Sequence, residues 1–223
     1  MIIFSLSTTP NREKNLSLIL PTILIQTDIL FVNLVNYDNV PEILYNDKII
    51  INRFDNVGSE IRFFDYSDCP EDSYYFTIDD DILYPEDYSK TMISTMEKYN
   101  NEVVCCVHGS IIDKKLDSGY YKKNRKVFHF KEELLSETKV MIPGVGTSCF
   151  YKNKTNIEIS KYKISNMSDV YTACFLSEQN IDRICVKREK NWLQPLSEFG
   201  TRIFGKNSQE EIDKMINKYK DIL

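Results

Sequence analysis

Apolar positions along the chain follow two spacings that take turns. Residues 2–6 are an apolar run of strand length, residues 7–12 (Ser-Thr-Thr-Pro-Asn-Arg) a polar loop, and the apolar stretch after it predicts a helix from about residue 12 to 26. Further strands are predicted over residues 29–35, 48–53 and 74–78, joined by helical or irregular connections. Pro85, Glu86 and Asp87 suit a helix start, which predicts a helix over residues 85–99 with Tyr88, Met92, Ile93, Met96 and Tyr99 packed on one face. Residues 102–107 read as another buried strand, ending in His108-Gly109.

The second half changes character. Residues 113–137 are densely charged with interleaved aromatics, the pattern of a hairpin or flap. Two strand-like runs, 140–146 and 147–151, flank a turn containing Gly144 and Gly146. Ser168 or Asp169 is placed to cap a helix reaching about residue 179, and residues 184–187 form a last short strand. Ser208-Gln-Glu-Glu211 matches a capping box, with Ile212, Met215, Ile216, Tyr219 and Ile222 at helical spacing behind it, so a terminal helix docked on the domain is expected. Strand–helix alternation predicts an α/β fold: a mostly parallel central sheet flanked by helices, with a small antiparallel ribbon in the second half. One domain over residues 1–223 is expected.

Chemistry concentrates where the fourth strand ends. Asp79, Asp80 and Asp81 follow Tyr-Tyr-Phe-Thr-Ile directly, and aspartates are disfavoured in strands and repel one another at this spacing. A divalent cation with hard oxygen ligands, Mn²⁺ or Mg²⁺, would account for them, with Asp79 and Asp81 as ligands. In a parallel sheet the loop 7–12 and the triplet both lie beyond the carboxyl ends of strands, where one ligand can face both. Arg12 and Arg188 could pair with phosphate or carboxylate oxygens, and Asp169 could take a proton from an attacking hydroxyl or simply cap its helix.

Composition narrows the classes. A net charge of −5 argues against a nucleic-acid partner, although Lys122, Lys123, Arg125 and Lys126 form a local basic patch. The six cysteines show no CxxC pair and no zinc spacing, which predicts reduced thiols and a cytoplasmic setting. Residues 1–7 are too short an apolar stretch for a signal peptide, and no uncharged apolar run reaches the ~18 residues of a membrane span. Asn15, Asn153 and Asn166 head glycosylation sequons, expected to be chance matches.

In the order of its motifs (residues 7–12, Asp55-Asn-Val-Gly58 with Arg62-Phe-Phe64, residues 75–85, 103–109, 144–146, 166–170 and 188–193) the chain resembles the small GT-A glycosyltransferases over nearly its full length. The resemblance implies that the triplet is a DxD motif and that a nucleotide-sugar donor, of the UDP-sugar type, is used. It implies a nucleotide-binding half over residues 1–100, with Thr8, Thr9, Arg12, Asp55, Gly58, Arg62, Asp79 and Asp80 on the donor. It further implies a donor-sugar and acceptor half over residues 101–205, with His108, Gly144, Gly146 and Arg188 near the donor and Asp169 as the base of an inverting displacement, and a terminal helix over residues 206–223. The implied acceptor is a hydroxyl of a glycan or of a lipid-linked sugar. A nucleotidyltransferase that activates sugars and a non-catalytic nucleotide or sugar binder are the competing classes. The first would want a glycine-rich phosphate loop, which residues 7–12 lack.

Overall fold

A computed structural model describes residues 1–112, 125–163, 165–196, 213, 216 and 217. In chain order its elements are β1 (Ile2–Thr8), α1 (Glu13–Leu24), β2 (Ile29–Val35), β3 (Ile49–Phe54), β4 (Tyr74–Ile78), β5 (Ile82–Leu83), α2 (Tyr88–Lys98) and β6 (Val103–Cys106). They continue with β7 (Gly109–Ile112), β8 (Arg125–Phe128), β9 (Thr138–Val140), β10 (Ile142–Pro143), β11 (Thr147–Tyr151), α3 (Ser168–Glu178), β12 (Asp182–Cys185) and β13 (Gln194–Pro195).

Eight of these strands form one sheet in the order β3-β2-β1-β4-β11-β6-β12-β9. The β3, β2, β1 and β4 strands are parallel neighbours, and β6 is parallel to β12. The β11 strand runs antiparallel between β4 and β6, and β9 runs antiparallel at the far edge. All strands but β9 and β11 therefore end at the same rim of the sheet. A small antiparallel sheet, β10-β7-β8, stands beside it, so the expected ribbon is present and the described part of the charged segment is a hairpin strand. Residues 113–124, including Lys122 and Lys123 of the basic patch, lie outside the described residues.

Strand alternation divides the core into two layers. Phe4, Leu6, Phe76 and Ile78 face α1 and α2, and the Phe4 and Phe76 rings stack at 4.5 Å on paired positions of β1 and β4. Against them α1 buries Leu16, Ile19, Leu20 and Ile23, and α2 buries Tyr88, Met92 and Met96, both at helical spacing. On the opposite face Ile3, Tyr75, Val104 and Phe150 pack on Phe63, Tyr66 and Leu176. The boundaries shift at two helix starts. Pro10–Arg12 forms a short 3-10 turn before α1, and Pro85 precedes α2, its carbonyl accepting the Tyr88 N–H at 3.1 Å. All six cysteines are buried. Among the described residues no helix is long and apolar enough to cross a membrane. The capping box at residues 208–211 lies outside the described residues, but Ile216 is buried in one hydrophobic cluster with Ile112, Ile142 and the α3 residues Val170 and Cys174.

Candidate functional site

The rim where β1, β3, β4 and β6 end collects the polar residues that the rest of the chain keeps apart. Beyond β4, alternation gives the three aspartates different surroundings. Asp80 turns inward: its side chain is 5% exposed, takes a 2.6 Å bond from Arg12 Nη1 and is hydrogen-bonded by the Thr8 hydroxyl. Its main-chain carbonyl accepts the Asn15 side-chain amide at 2.8 Å. Asp79 and Asp81 turn outward, with side chains 36% and 40% exposed. Asp79 Oδ1 is held by Arg62 Nη1 at 2.7 Å, and Asp81 Oδ2 lies 3.1 Å from Arg12 Nη1.

Arginine placement follows from the local chain. Arg12 ends the 3-10 turn after β1, whose shape is set by Pro10 and by the Arg12 N–H bonding to the Thr9 carbonyl. Thr9's carbonyl also accepts the Tyr37 hydroxyl at 3.0 Å, fixing the loop from the β2 side. Arg62 sits in a 3-10 turn, residues 59–63, is buried, and donates through Nε to the Ser59 carbonyl. A buried guanidinium needs a charge partner, and Asp79 is that partner.

The turn 144–146 joins β10 to β11 and leans on the triplet. A Cβ built on Gly146 would collide with the Asp79 carboxylate, so only glycine lets the two approach this closely. Gly146→Ala is accordingly expected to force Asp79 or the turn aside at a cost of about 1–3 kcal/mol, measurable by chemical denaturation. Each residue of the turn is tied to a different element. The Gly144 N–H reaches the His108 carbonyl at 2.8 Å, the Val145 carbonyl takes the Thr77 hydroxyl, and the Gly146 carbonyl takes the Tyr84 hydroxyl.

Asp169 stands on the other side of this turn. The α3 helix is capped at Met167, and neither Ser168 nor Asp169 makes a side-chain cap bond, so the capping role read from sequence is corrected. Ser168 instead meets the Ser59 hydroxyl at 3.0 Å, and Asp169 Oδ1 reaches across to accept the Val145 N–H at 2.8 Å. Burial first, and the Asp79 charge after it, push the Asp169 carboxyl up to about 6, against the Val145 bond and Arg62, which hold it down. Asp169 touches Val145 and Asp79 touches Gly146, so the two carboxyls flank neighbouring residues of one turn.

The connection after β3 closes the rim. Asp55 is exposed just past Phe54, and Gly58 is buried so near Ser165 and Asn166 that a side chain there would strike the Asn166 main chain. Glu60 accepts from the Ser165 hydroxyl and the Asn166 N–H, both at 3.0 Å, and Asn166 Oδ1 accepts the Ser59 N–H at 3.2 Å. This clasp carries the 55–62 segment to the N-terminus of α3. Glu60, Ser59 and Asn166 are not singled out as site residues by the sequence, because their pairing spans more than 100 positions.

His108 lies in the short link between β6 and β7, with its ring beside Gly144 and edge-on to His129 at 5.3 Å. Its buried Nδ1 finds no partner among the described residues, and burial lowers its pKa to about 4, leaving the imidazole neutral. Arg188 is committed elsewhere: it is buried and donates to the carbonyls of Glu132, Val186 and His129, holding the segment that carries His129. Thr9 binds within its own loop, to Asn11.

Among the described residues no group of three or more His, Cys, Asp and Glu is arranged for a metal ion. Asp79 and Asp81 supply two outward carboxylates, and burial together with the Asp79 charge drives Asp81 up to about 6. Crowded negative charge of this kind suits a divalent cation that draws its other ligands from water and phosphate oxygens.

No protein-family model and no curated protein matches the chain. Among solved structures, that of S. aureus TarS 1-349 is 12% identical with a TM-score of 0.48, over 85% of this chain and 58% of that one. TarS 1-349 in complex with UDP-GlcNAc is 11% identical with a TM-score of 0.49, over 100% of this chain and 72% of that one. The S. aureus TarS crystal structure gives 10% and 0.45 over 84% and 35%. The chain thus spans less than two thirds of the first of these. Asp79, Asp81, Asp169 and the two arginines, not this likeness, carry the functional conclusion.

Proposed function

We propose that the chain transfers a sugar from a nucleoside diphosphate donor, of the UDP-sugar type, to a hydroxyl of a glycan or lipid-linked acceptor, with inversion at the anomeric carbon. The observation that carries it is the pairing of two outward carboxylates beside arginines with a half-buried, non-capping carboxylate across the turn 144–146.

A Mn²⁺ or Mg²⁺ held by Asp79 and Asp81 would supply Lewis-acid neutralisation of the diphosphate, in keeping with a DxD motif. Arg12 and Arg62 add fixed positive charge beside it, and Asp80 serves the loop by holding Arg12 and Thr8 in place. Thr8, Thr9, Asp55 and Gly58 line the nucleotide side of the rim, and His108, Gly144 and Gly146 the sugar side. Asp169 accepts the acceptor's hydroxyl proton while that oxygen bonds to the anomeric carbon and the bond to the diphosphate breaks, its electron pair leaving with the phosphate. With its carboxyl near 6, Asp169 is ionised at neutral pH yet basic enough to take that proton.

Calorimetry of nucleoside diphosphates with the chain tests the donor side. Binding is expected to strengthen with Mn²⁺ in the wild type and to lose that dependence in Asp81→Asn, whose carboxylate is outward and not needed by Asp80 or Arg62. Equal affinity with and without Mn²⁺ in both proteins would refute the assignment.

A further inference from the structure

Two tyrosines, Tyr84 and Tyr88, follow the triplet and touch in the core, with ring centroids 4.9 Å apart and planes tilted by 60°. Both are fully buried, yet their hydroxyls are used in opposite ways. The Tyr88 hydroxyl finds no partner among the described residues. The Tyr84 hydroxyl accepts the Asp79 main-chain N–H at 2.8 Å and donates to the Gly146 carbonyl.

We propose that Tyr84 is a positioning residue that holds the Asp79 end of β4 and the turn 144–146, with its contact to Asp169, in one fixed relation. It rests on the glycosyl-transfer proposal above and adds to it the element that ties the diphosphate side to the base. The linkage is continuous: Asp79 N–H to Tyr84, Tyr84 to the Gly146 carbonyl, and the adjoining Val145 N–H to Asp169. Thr77 holds the Val145 carbonyl on the same turn. A phenol can accept one bond and donate another, whereas phenylalanine would leave a buried N–H and a buried C=O without a partner. Asp79 keeps its carboxylate on Arg62 in either case, so donor binding need not suffer when the turn slackens.

The groups facing Asp169 are Asp79 at the end of β4, Arg62 in the 59–63 turn, Arg125 on β8 and the Val145 N–H. The Val145 bond favours the carboxylate, so loosening the turn must raise the Asp169 pKa.

Tyr84→Phe and Tyr88→Phe form a matched test, because each deletes one hydroxyl from the same core. Tyr88→Phe is expected to leave kcat, donor KM and the pH profile as in the wild type. Tyr84→Phe is expected to hold donor KM within about threefold, to lower kcat about tenfold or more, and to move the acid limb of kcat to higher pH. The titration can also be read without turnover, by carbon-13 NMR of carboxyl-labelled aspartate with Asp169→Asn assigning the signal. A Tyr84→Phe protein whose Asp169 titrates as in the wild type, and whose kcat equals that of Tyr88→Phe, overturns the proposal. Should Tyr84→Phe not fold, Thr77→Val removes the neighbouring bond to the turn and is expected to raise the same titration, its failure to do so counting equally against it. A wild type that neither binds nor consumes any nucleoside diphosphate sugar overturns the glycosyl-transfer proposal, while the carboxyl titration still decides the role of Tyr84.

Discussion

Replacing Asp169 with asparagine is expected to lower the transfer rate about 10²–10⁴-fold, the range a positioned general base contributes, while donor affinity stays close to that of the wild type. The amide oxygen can still accept the Val145 N–H, so the turn keeps its shape, but the side chain can no longer take a proton. In the wild type the rate should fall as pH drops through about 6, where Asp169 becomes protonated. Stability should run the other way. A carboxyl whose folded pKa lies above its unfolded value stabilises the fold at low pH and loses that contribution as pH rises through the folded value. Asparagine removes a half-buried charge that water partly screens, so the variant should be more stable than the wild type at pH 8, by on the order of 1–2 kcal/mol, and equal to it near pH 4. Steady-state kinetics and urea denaturation at the two pH values check both halves. An active Asp169→Asn protein would exclude Asp169 as the base.

The second large effect lies at the Arg62–Asp79 pair. Asp79→Ala strands a guanidinium that is buried against the sheet, and breaking a buried pair from one side costs about 3–5 kcal/mol. Asp79 is itself about a third exposed, which lets water reach the vacated position and puts the expected loss nearer about 2–3 kcal/mol. Asp81→Ala should cost little, because Arg12 keeps Asp80 and the Asp81 side chain is the most exposed of the three. Both variants should lose diphosphate binding, so the pair separates the two duties of the triplet: Asp79 in fold and ligand, Asp81 in ligand alone. Equal denaturation midpoints for the two variants would contradict that division.

Much of the architecture is legible in local pattern because strand and helix periods are local. Ile3 and Phe4 alternate between two core layers, and Leu16, Ile19, Leu20 and Ile23 recur at the helix spacing, so both elements could be placed from residue type alone. Direction is not local. Nothing in residues 147–151 says that β11 runs antiparallel between β4 and β6, and it is this insertion that brings the turn 144–146 to the rim. The triplet stood out because three aspartates end a strand, but which of them faces inward depends on the register of β4 against β1 and on where Arg12 falls. Asp169 was ambiguous for a physical reason: an aspartate in the first turn of a helix serves as a cap or reaches outward, and only the Val145 N–H across the chain decides. Tyr84 carried no local signal, since its ring reads as core and its hydroxyl partners lie 5 and 62 residues away. Arg188 showed the converse, a basic residue after a strand that spends its donors on carbonyls.

The most direct measurement is a proton NMR time course of the wild-type chain with nucleoside diphosphate sugars and Mn²⁺, following the anomeric signals. The expected result is consumption of one donor with release of its nucleoside diphosphate, and a first-formed product of opposite anomeric configuration. Donor signals that persist across the panel, or a product that keeps the donor's configuration, would contradict a single displacement driven by Asp169 at this site.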